Sequence, residues 1–276
     1  MIALLRYYRF QGGQPYLDAA QQLGEWIFSH VYDTRGVGGY AGGYEGWEPE
    51  PSRLLTQSIE QNLSVYVAFM GLYEATGEGV WRQRAMHAKG FIRAMWNPEP
   101  GFFWVGTEED GVKINEKVLT LDSNTLSLLA LGEGVTYGKG LSSWAEEKFR
   151  LQDKKCLKGA KGVVSGFDFN GDKDGIFWEG TAQAALGYQL LGKDQAKGLL
   201  EDLERVQSSA PNANGKGIVA ACRDKVTTGF NGHDAGSAAA ALQSDGKIVV
   251  AGSARKAGHS MPVYFALARY NPDGRF

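Results

Sequence analysis

Apolar residues recur at helical spacing along most of the chain, and the exceptions are short and rich in glycine. From Pro15 to Asp33, in "PYLDAAQQLGEWIFSHVYD", Leu17, Ala20, Leu23, Ile27 and Val31 fall three or four positions apart, with a proline at the start and Gly36 beyond the end. That pattern predicts an amphipathic helix. The stretch from Leu54 to Gly77 repeats it through Ile59, Leu63, Tyr66, Met70 and Tyr73 and stops at a glycine, and Val80 to Trp96 follows after a short turn. Two such helices joined so closely form an antiparallel hairpin. "GFFWVGTEEDGVKINEKV" (Gly101 to Val118) then reads as a β-hairpin around "EEDG". Helix resumes at Thr120 to Gly134 and again in "SSWAEEKFRLQDKK", where Ser143 and Glu146 suit a capping box. A last helical hairpin is predicted from "WEGTAQAALGYQLLG" and "DQAKGLLEDLERVQSS".

The period changes near Thr228. "AAALQSDGKIVVAGSARKAGHSMPVYFALARYNPDGRF" has no helical stripe, places "DGK" before "IVVAGS", and alternates in "VYFALARY" before "NPDG". This is β-hairpin sequence, and it divides the chain into a helical region at 1–229 and a β-rich region at 230–276.

Composition narrows the partners. Lys plus Arg (29) nearly balance Asp plus Glu (31), so there is no excess positive charge for a phosphate backbone, and nucleic acid is not an expected partner. The only cysteines, Cys156 and Cys222, have no metal-ligand spacing and are too few for a disulfide framework. "MIALLRYYRFQGG" is too short in its apolar run to be a signal peptide, and no segment approaches the roughly 18 consecutive apolar residues of a membrane span. A soluble chain with no membrane partner is the expectation.

The helical region resembles the α/α-toroid glycosidases, in which paired helices circle a central cleft as concentric rings. The resemblance is carried by "GVGGYAGGYEG" (Gly36 to Gly46), "TQSIEQNLSVYVAF" (Thr56 to Phe69), "TLDSNTLSLLALG" (Thr120 to Gly132) and "FWEGTAQAALGY" (Phe177 to Tyr188). It implies a mainly α fold, an (α/α) toroid of helical hairpins. A complete ring of that kind needs more hairpins than the pattern supplies, so an incomplete ring is expected. The C-terminal segment is similar to one copy of the delta-60 type β-repeat, with "AAALQSDGKIVVAGSA" and "FALARYNPDG" matching its two ends.

In such a toroid the cleft lies at one end of the inner helices, which directs attention to acidic residues at helix starts. Cleaving a glycosidic bond needs one carboxylic acid to protonate the leaving oxygen and a second carboxylate to activate water or attack. Glu60 in "SIEQN", Asp122 in "LDSNT" and Glu179 in "WEGTAQ" fit. Asp122 is placed to cap the main-chain N–H groups of Asn124 and Thr125, which would keep it ionised and suit it to a base. Glu179 follows Phe177 and Trp178, whose apolar rings would favour the neutral form and the acid role. Glu60, by contrast, falls in mid-helix beside Gln61 and Asn62, and consecutive polar residues on an inner face often line a wet cleft. Tyr40, Tyr44, Trp47, Trp104 and Trp178, with Glu45, are candidates to bind sugar rings by stacking and by their polar edges.

"DFNGDKDGIFWE" offers Asp168, Asn170, Asp172 and Asp174 at alternate positions and Glu179 at the twelfth, as in a calcium loop, but Lys173 stands where that loop needs glycine. The register is incomplete, and a turn presenting Trp178 and Glu179 is the favoured reading; no cofactor is expected. No nucleotide-binding or zinc-protease motif occurs, and the histidines (His30, His87, His233, His259) are dispersed. The expected function is a glycoside hydrolase acting on a poly- or oligosaccharide. The alternatives are a carbohydrate-binding protein or scaffold that has lost catalysis, and a structural fragment without a ligand.

Overall fold

The computed structural model describes residues 1–46, 50–154, 156–157 and 162–209, and the backbone of 239–242, 248–254 and 264–270. The chain separates into two units, Met1–Val226 and Thr227–Phe276.

The first unit is built from helical hairpins in two rows. Its helices are α1 (Ile2–Gln11), α2 (Gln14–Val31), α3 (Ile59–Thr76), α4 (Gly79–Ala94), α5 (Asp122–Leu131), α6 (Gly134–Lys139), α7 (Glu146–Phe149), α8 (Trp178–Leu190) and α9 (Gln195–Ser209). Helices α2, α4 and α9 carry one apolar stripe each, whereas α3, α5 and α8 have apolar or small residues on every side. A helix that is apolar all round must be covered on several sides. Accordingly α1, α3, α5 and α8 form an inner row, each packed on the next, and α2, α4 and α9 back α1, α3 and α8 from outside. This is the α/α-toroid arrangement.

Two close approaches depend on glycine. A Cβ at Gly180 would come within 2.7 Å of Leu121, where α8 meets the start of α5. At Gly24 a Cβ would come within 2.8 Å of Trp81, so glycine occupies the core-facing place on α2, and Leu23, expected in the stripe, is exposed.

Short antiparallel ladders lead into the inner helices. These are β1 (Tyr32–Asp33) with β2 (Gly39–Tyr40), β3 (Gly43–Glu45) with β4 (Ser52–Leu54), β5 (Trp96–Asn97) with β6 (Phe102–Phe103), and β7 (Arg150–Asp153) with β8 (Val164–Phe167). Two local expectations are corrected here. Phe102–Phe103 pairs with Trp96–Asn97 rather than with the "VKIN" run, which retains only a single bridge between Thr107 and Ile114. The proposed Ser143–Glu146 capping box does not form, because the chain continues from α6 through a π-helical turn, Gly140–Ala145, straight into α7. The Glu146 carboxylate is instead bonded by the Tyr188 hydroxyl of α8.

Two apolar clusters hold the unit together. One gathers Leu17, Tyr40, Phe69, Leu72 and Trp81 of the early hairpins, and the other gathers Phe91, Phe103, Leu121, Leu128, Phe167, Trp178 and Tyr188 of the later ones. Cys156 is buried in the second and is disulfide-bonded, a single bridge rather than a framework. Among the described residues no helix is long and apolar enough to cross a membrane.

The second unit contains a three-stranded antiparallel sheet of β9 (Ala239–Leu242), β10 (Ile248–Ala254) and β11 (Tyr264–Tyr270), with β10 in the middle. Ile248 lies opposite both Leu242 and Tyr270.

Candidate active site

Because the inner helices of successive hairpins run in the same direction, their first turns lie at one end of the row. Glu60, Asp122 and Glu179 each occupy the first turn of an inner helix, α3, α5 and α8 respectively. Helix N-termini favour negative charge. Three of them side by side therefore gather the carboxylates that the sequence singled out.

The carboxylates repel one another. Glu60 is raised above the ordinary glutamate range, first by the protein packed around it and then by the charge of Glu179. Its side chain nevertheless keeps exposed surface. Asp122, central in the row, is pushed up to about 7 by burial first, then by the charges of Glu60 and Glu179. Part of Asp122 remains at the surface, but its Oδ1 is buried and has no hydrogen-bond partner. The expected capping bond from Asp122 is absent, which removes the reason for holding it ionised. The carboxyl pushed into the neutral range is Asp122, where the sequence pointed to an ionised base.

The aromatic candidates divide. Tyr40 is 1% exposed and Trp178 0%, both inside the apolar clusters, so neither ring presents a face to a ligand. Asn62 is also fully buried, its amide spent on the main chain of Tyr40 and Ser58. The reason is shared: a residue in a glycine-rich or polar stretch looks free in one dimension, while the inner-row packing covers it from other hairpins. Trp104 is half-buried, edge-on to Phe102 with ring centroids 4.5 Å apart. Tyr44 is exposed on β3 with Glu45 beside it, and Gln61 is exposed on α3. Trp47 lies outside the described residues.

Three residues gained importance only in three dimensions. Trp26, exposed on α2, stacks on His30 with centroids 4.7 Å apart and lies 6.5 Å from Tyr44. Its place inside a helical segment, away from any loop, had hidden it. Asn124 and Thr181, fully buried, each bond the end of a neighbouring strand. Their signal was in the sequence, as an acid followed two positions later by a small polar residue at the starts of α3, α5 and α8.

The acidic loop is a turn whose side chains bond its own main chain. Ligand atoms of Asp168, Asp172 and Asp174 lie within 4.8 Å of one another. Asp168 accepts main-chain N–H bonds from Phe169 (2.7 Å) and Asp174 (3.0 Å), and Asn170 accepts one from Asp172. Lys173 adopts φ 56°, the left-handed conformation in which a calcium loop uses glycine. Glu179, the twelfth position of that loop, stands in the first turn of α8 and interacts with Glu60 and Asp122.

Comparison with solved structures agrees with this architecture. The chain is similar to a glycoside hydrolase family 76 mannosidase, Bt3792, from Bacteroides thetaiotaomicron, at 14% identity and a TM-score of 0.51 over 74% of this chain and 55% of that one. It is also similar to a family 76 glycoside hydrolase from a bovine Bacteroides thetaiotaomicron strain, at 14% identity and a TM-score of 0.51 over 73% of this chain and 43% of that one. At such identity the likeness is one of fold, the α/α toroid. The chain spans about half the length of these structures. Residues 243–276 match the family described as "Domain of unknown function (DUF5122) beta-propeller". No curated protein matches the chain in sequence.

Proposed function

We propose that the helical unit is a glycoside hydrolase that cleaves a poly- or oligosaccharide with Asp122 as general acid. The observation that carries this reading is the orphaned, proton-retaining carboxyl of Asp122 between two further carboxylates on adjacent helix starts. A buried acceptor without a partner costs about 1–3 kcal/mol. A ligand hydroxyl would satisfy it by donating to it, and when that oxygen carries the proton it would itself donate to a glycosidic oxygen. A carboxyl at about 7 holds a proton at neutral pH and gives it up readily, as an acid catalyst must.

The companion role, activating water or attacking the sugar carbon, falls to Glu179, since Glu60 is itself raised and less suited to act as a base. Glu60 then serves by its charge, helping to keep the proton on Asp122. Tyr44, Trp104, Glu45 and Gln61 remain as the residues available to contact sugar rings and hydroxyls. The acidic loop is read as the turn that delivers Glu179, not as a calcium site.

The test uses the full chain with a panel of oligosaccharides that begins with mannans, because one similar structure is described as a mannosidase. Release of reducing ends is expected from at least one glycan, and Asp122→Asn should abolish release while retaining affinity. Binding without release in the parent would instead identify a carbohydrate-binding protein, and neither binding nor release would end the proposal.

A further inference from the structure

We infer that Asn62, Asn124 and Thr181 are positioning residues, three equivalent latches that aim the three carboxylates by tying α3, α5 and α8 each to a ladder that precedes it in the chain. The inference rests on reading the three carboxylates as the reacting centre, but its readout does not require turnover.

The three latches make the same pair of bonds, through an amide in two and a hydroxyl in the third. Asn62 Oδ1 accepts the main-chain N–H of Tyr40 at 2.8 Å, Asn124 Oδ1 that of Phe103 at 3.0 Å, and Thr181 Oγ1 that of Phe167 at 3.0 Å. Each donor strand is the second of its ladder, and Tyr40, Phe103 and Phe167 are the last residues of β2, β6 and β8. All three are buried aromatics. Each latch also donates to the carbonyl four residues back, Asn62 to Ser58 (2.9 Å), Asn124 to Thr120 (3.2 Å) and Thr181 to Phe177 (2.8 Å). Asn62 and Ser123 further return bonds to the carbonyls of Tyr40 and Phe103.

Each latch stands two positions after its acid, as Glu60 and Asn62, Asp122 and Asn124, Glu179 and Thr181. Residues two apart on an α-helix point about 200° apart. A latch bonded outward to the ladder therefore turns its acid inward toward the neighbouring helix starts. The first turn is the loosest part of a helix, with main-chain N–H groups unsatisfied by the helix itself, and a side chain anchored there fixes its orientation. At Gly166 a Cβ would come within 2.8 Å of Thr181 Oγ1, so glycine in β8 permits the third latch to close. The repetition across three hairpins with unlike lengths and sequences is what a shared geometric task would produce. A purely local packing need would vary from hairpin to hairpin.

The experiment follows the Asp122 carboxyl by carbon-13 NMR through a pH titration of the full chain, the signal being assigned by its loss in Asp122→Asn. Asn124→Ala and Thr181→Val should lower the Asp122 midpoint from about 7 by about one pH unit, a tenfold loss of proton affinity, as the first turns loosen and the carboxylates separate. Thr181→Ser, which keeps the hydroxyl, should restore the parent midpoint. Ser127→Ala is the control: this buried hydroxyl of α5 bonds only within its own helix, to Ser123 O, so its loss should lower Tm without moving the midpoint. If Asn124→Ala does not fold, Thr181→Val, which conserves volume, decides alone.

Unchanged midpoints in the latch variants, or an equal fall in Ser127→Ala, would overturn the inference by reducing the latches to ordinary structural bonds. A parent midpoint in the ordinary aspartate range would overturn both this inference and the proposed acid. Shifted midpoints in a chain that cleaves no glycan would leave the latches standing and remove the hydrolase alone.

Discussion

Asp122 and Asp168 are both pushed up to about 7, with burial as the leading cause in each, yet they do different work. Asp168 sits in the loop before α8, 1% exposed, with main-chain N–H groups of Phe169 and Asp174 donated to its two oxygens. Its raised value also reflects Asp172, which shares a hydrogen bond with it. Asp122 has the same shift and no such support: Oδ1 is orphaned, and the neighbouring groups that matter are the carboxylates of Glu60 and Glu179. A perturbed carboxyl is therefore not in itself a sign of a reacting centre. What separates the two is hydrogen-bond satisfaction, since one is occupied by its own loop and the other presents an acceptor that the fold leaves unused.

The comparison breaks most visibly if the wrong aspartate matters for chemistry. Asp122→Asn should lower glycan turnover by about 10²–10⁴-fold, the range of a general acid, while stability at pH 8 holds or rises because a buried charge has been removed. Equal turnover in the variant would transfer the acid role elsewhere. Asp168→Ala should do the converse, costing about 2–4 kcal/mol in urea unfolding as buried N–H groups lose their acceptor, with the Asp122 titration midpoint unchanged.

A subtler test lies in pH. Folding raises both aspartates from 3.8 to about 7, so the folded chain retains protons that the unfolded chain releases. Their contribution to stability is complete below the ordinary aspartate range and is lost as pH rises from about 4 to about 7. Groups held low pull the other way, such as Asp33, whose burial is outweighed by Arg35. The informative quantity is thus the difference between parent and Asp122→Asn, which should shrink the loss of stability across that window; a steeper loss in the variant would contradict the raised value. The smallest expected effect belongs to Glu60→Gln. Removing that charge should lower the Asp122 midpoint by a fraction of a pH unit and leave the Asp168 loop untouched, because Glu60 appears among the causes at Asp122 and not at Asp168.

Much of this was legible in one dimension. Periodic apolar positions and terminal glycines located α2, α3, α4, α5, α8 and α9, and Gly77 and Gly132 do end α3 and α5 in the left-handed conformation. The first-turn placement of Asp122 and Glu179 also followed from helix starts alone, whereas Glu60, expected in mid-helix, stands in a first turn because α3 begins only at Ile59. The aromatic candidates fared worse. Tyr40 and Trp178 are covered by residues from other hairpins, and neither glycine-rich context nor spacing reports such burial.

What the chain order by itself determined was the period of each helix, its ends and the acids that stand at them, because these depend on bonds and contacts within a few residues. Which acid keeps its proton was decided only by the tertiary structure. That choice depends on the dielectric and the charges around each carboxyl, supplied at Asp122 by helices 62 positions upstream and 57 downstream (122 − 60 and 179 − 122), and on latches whose partners are strands from separate ladders.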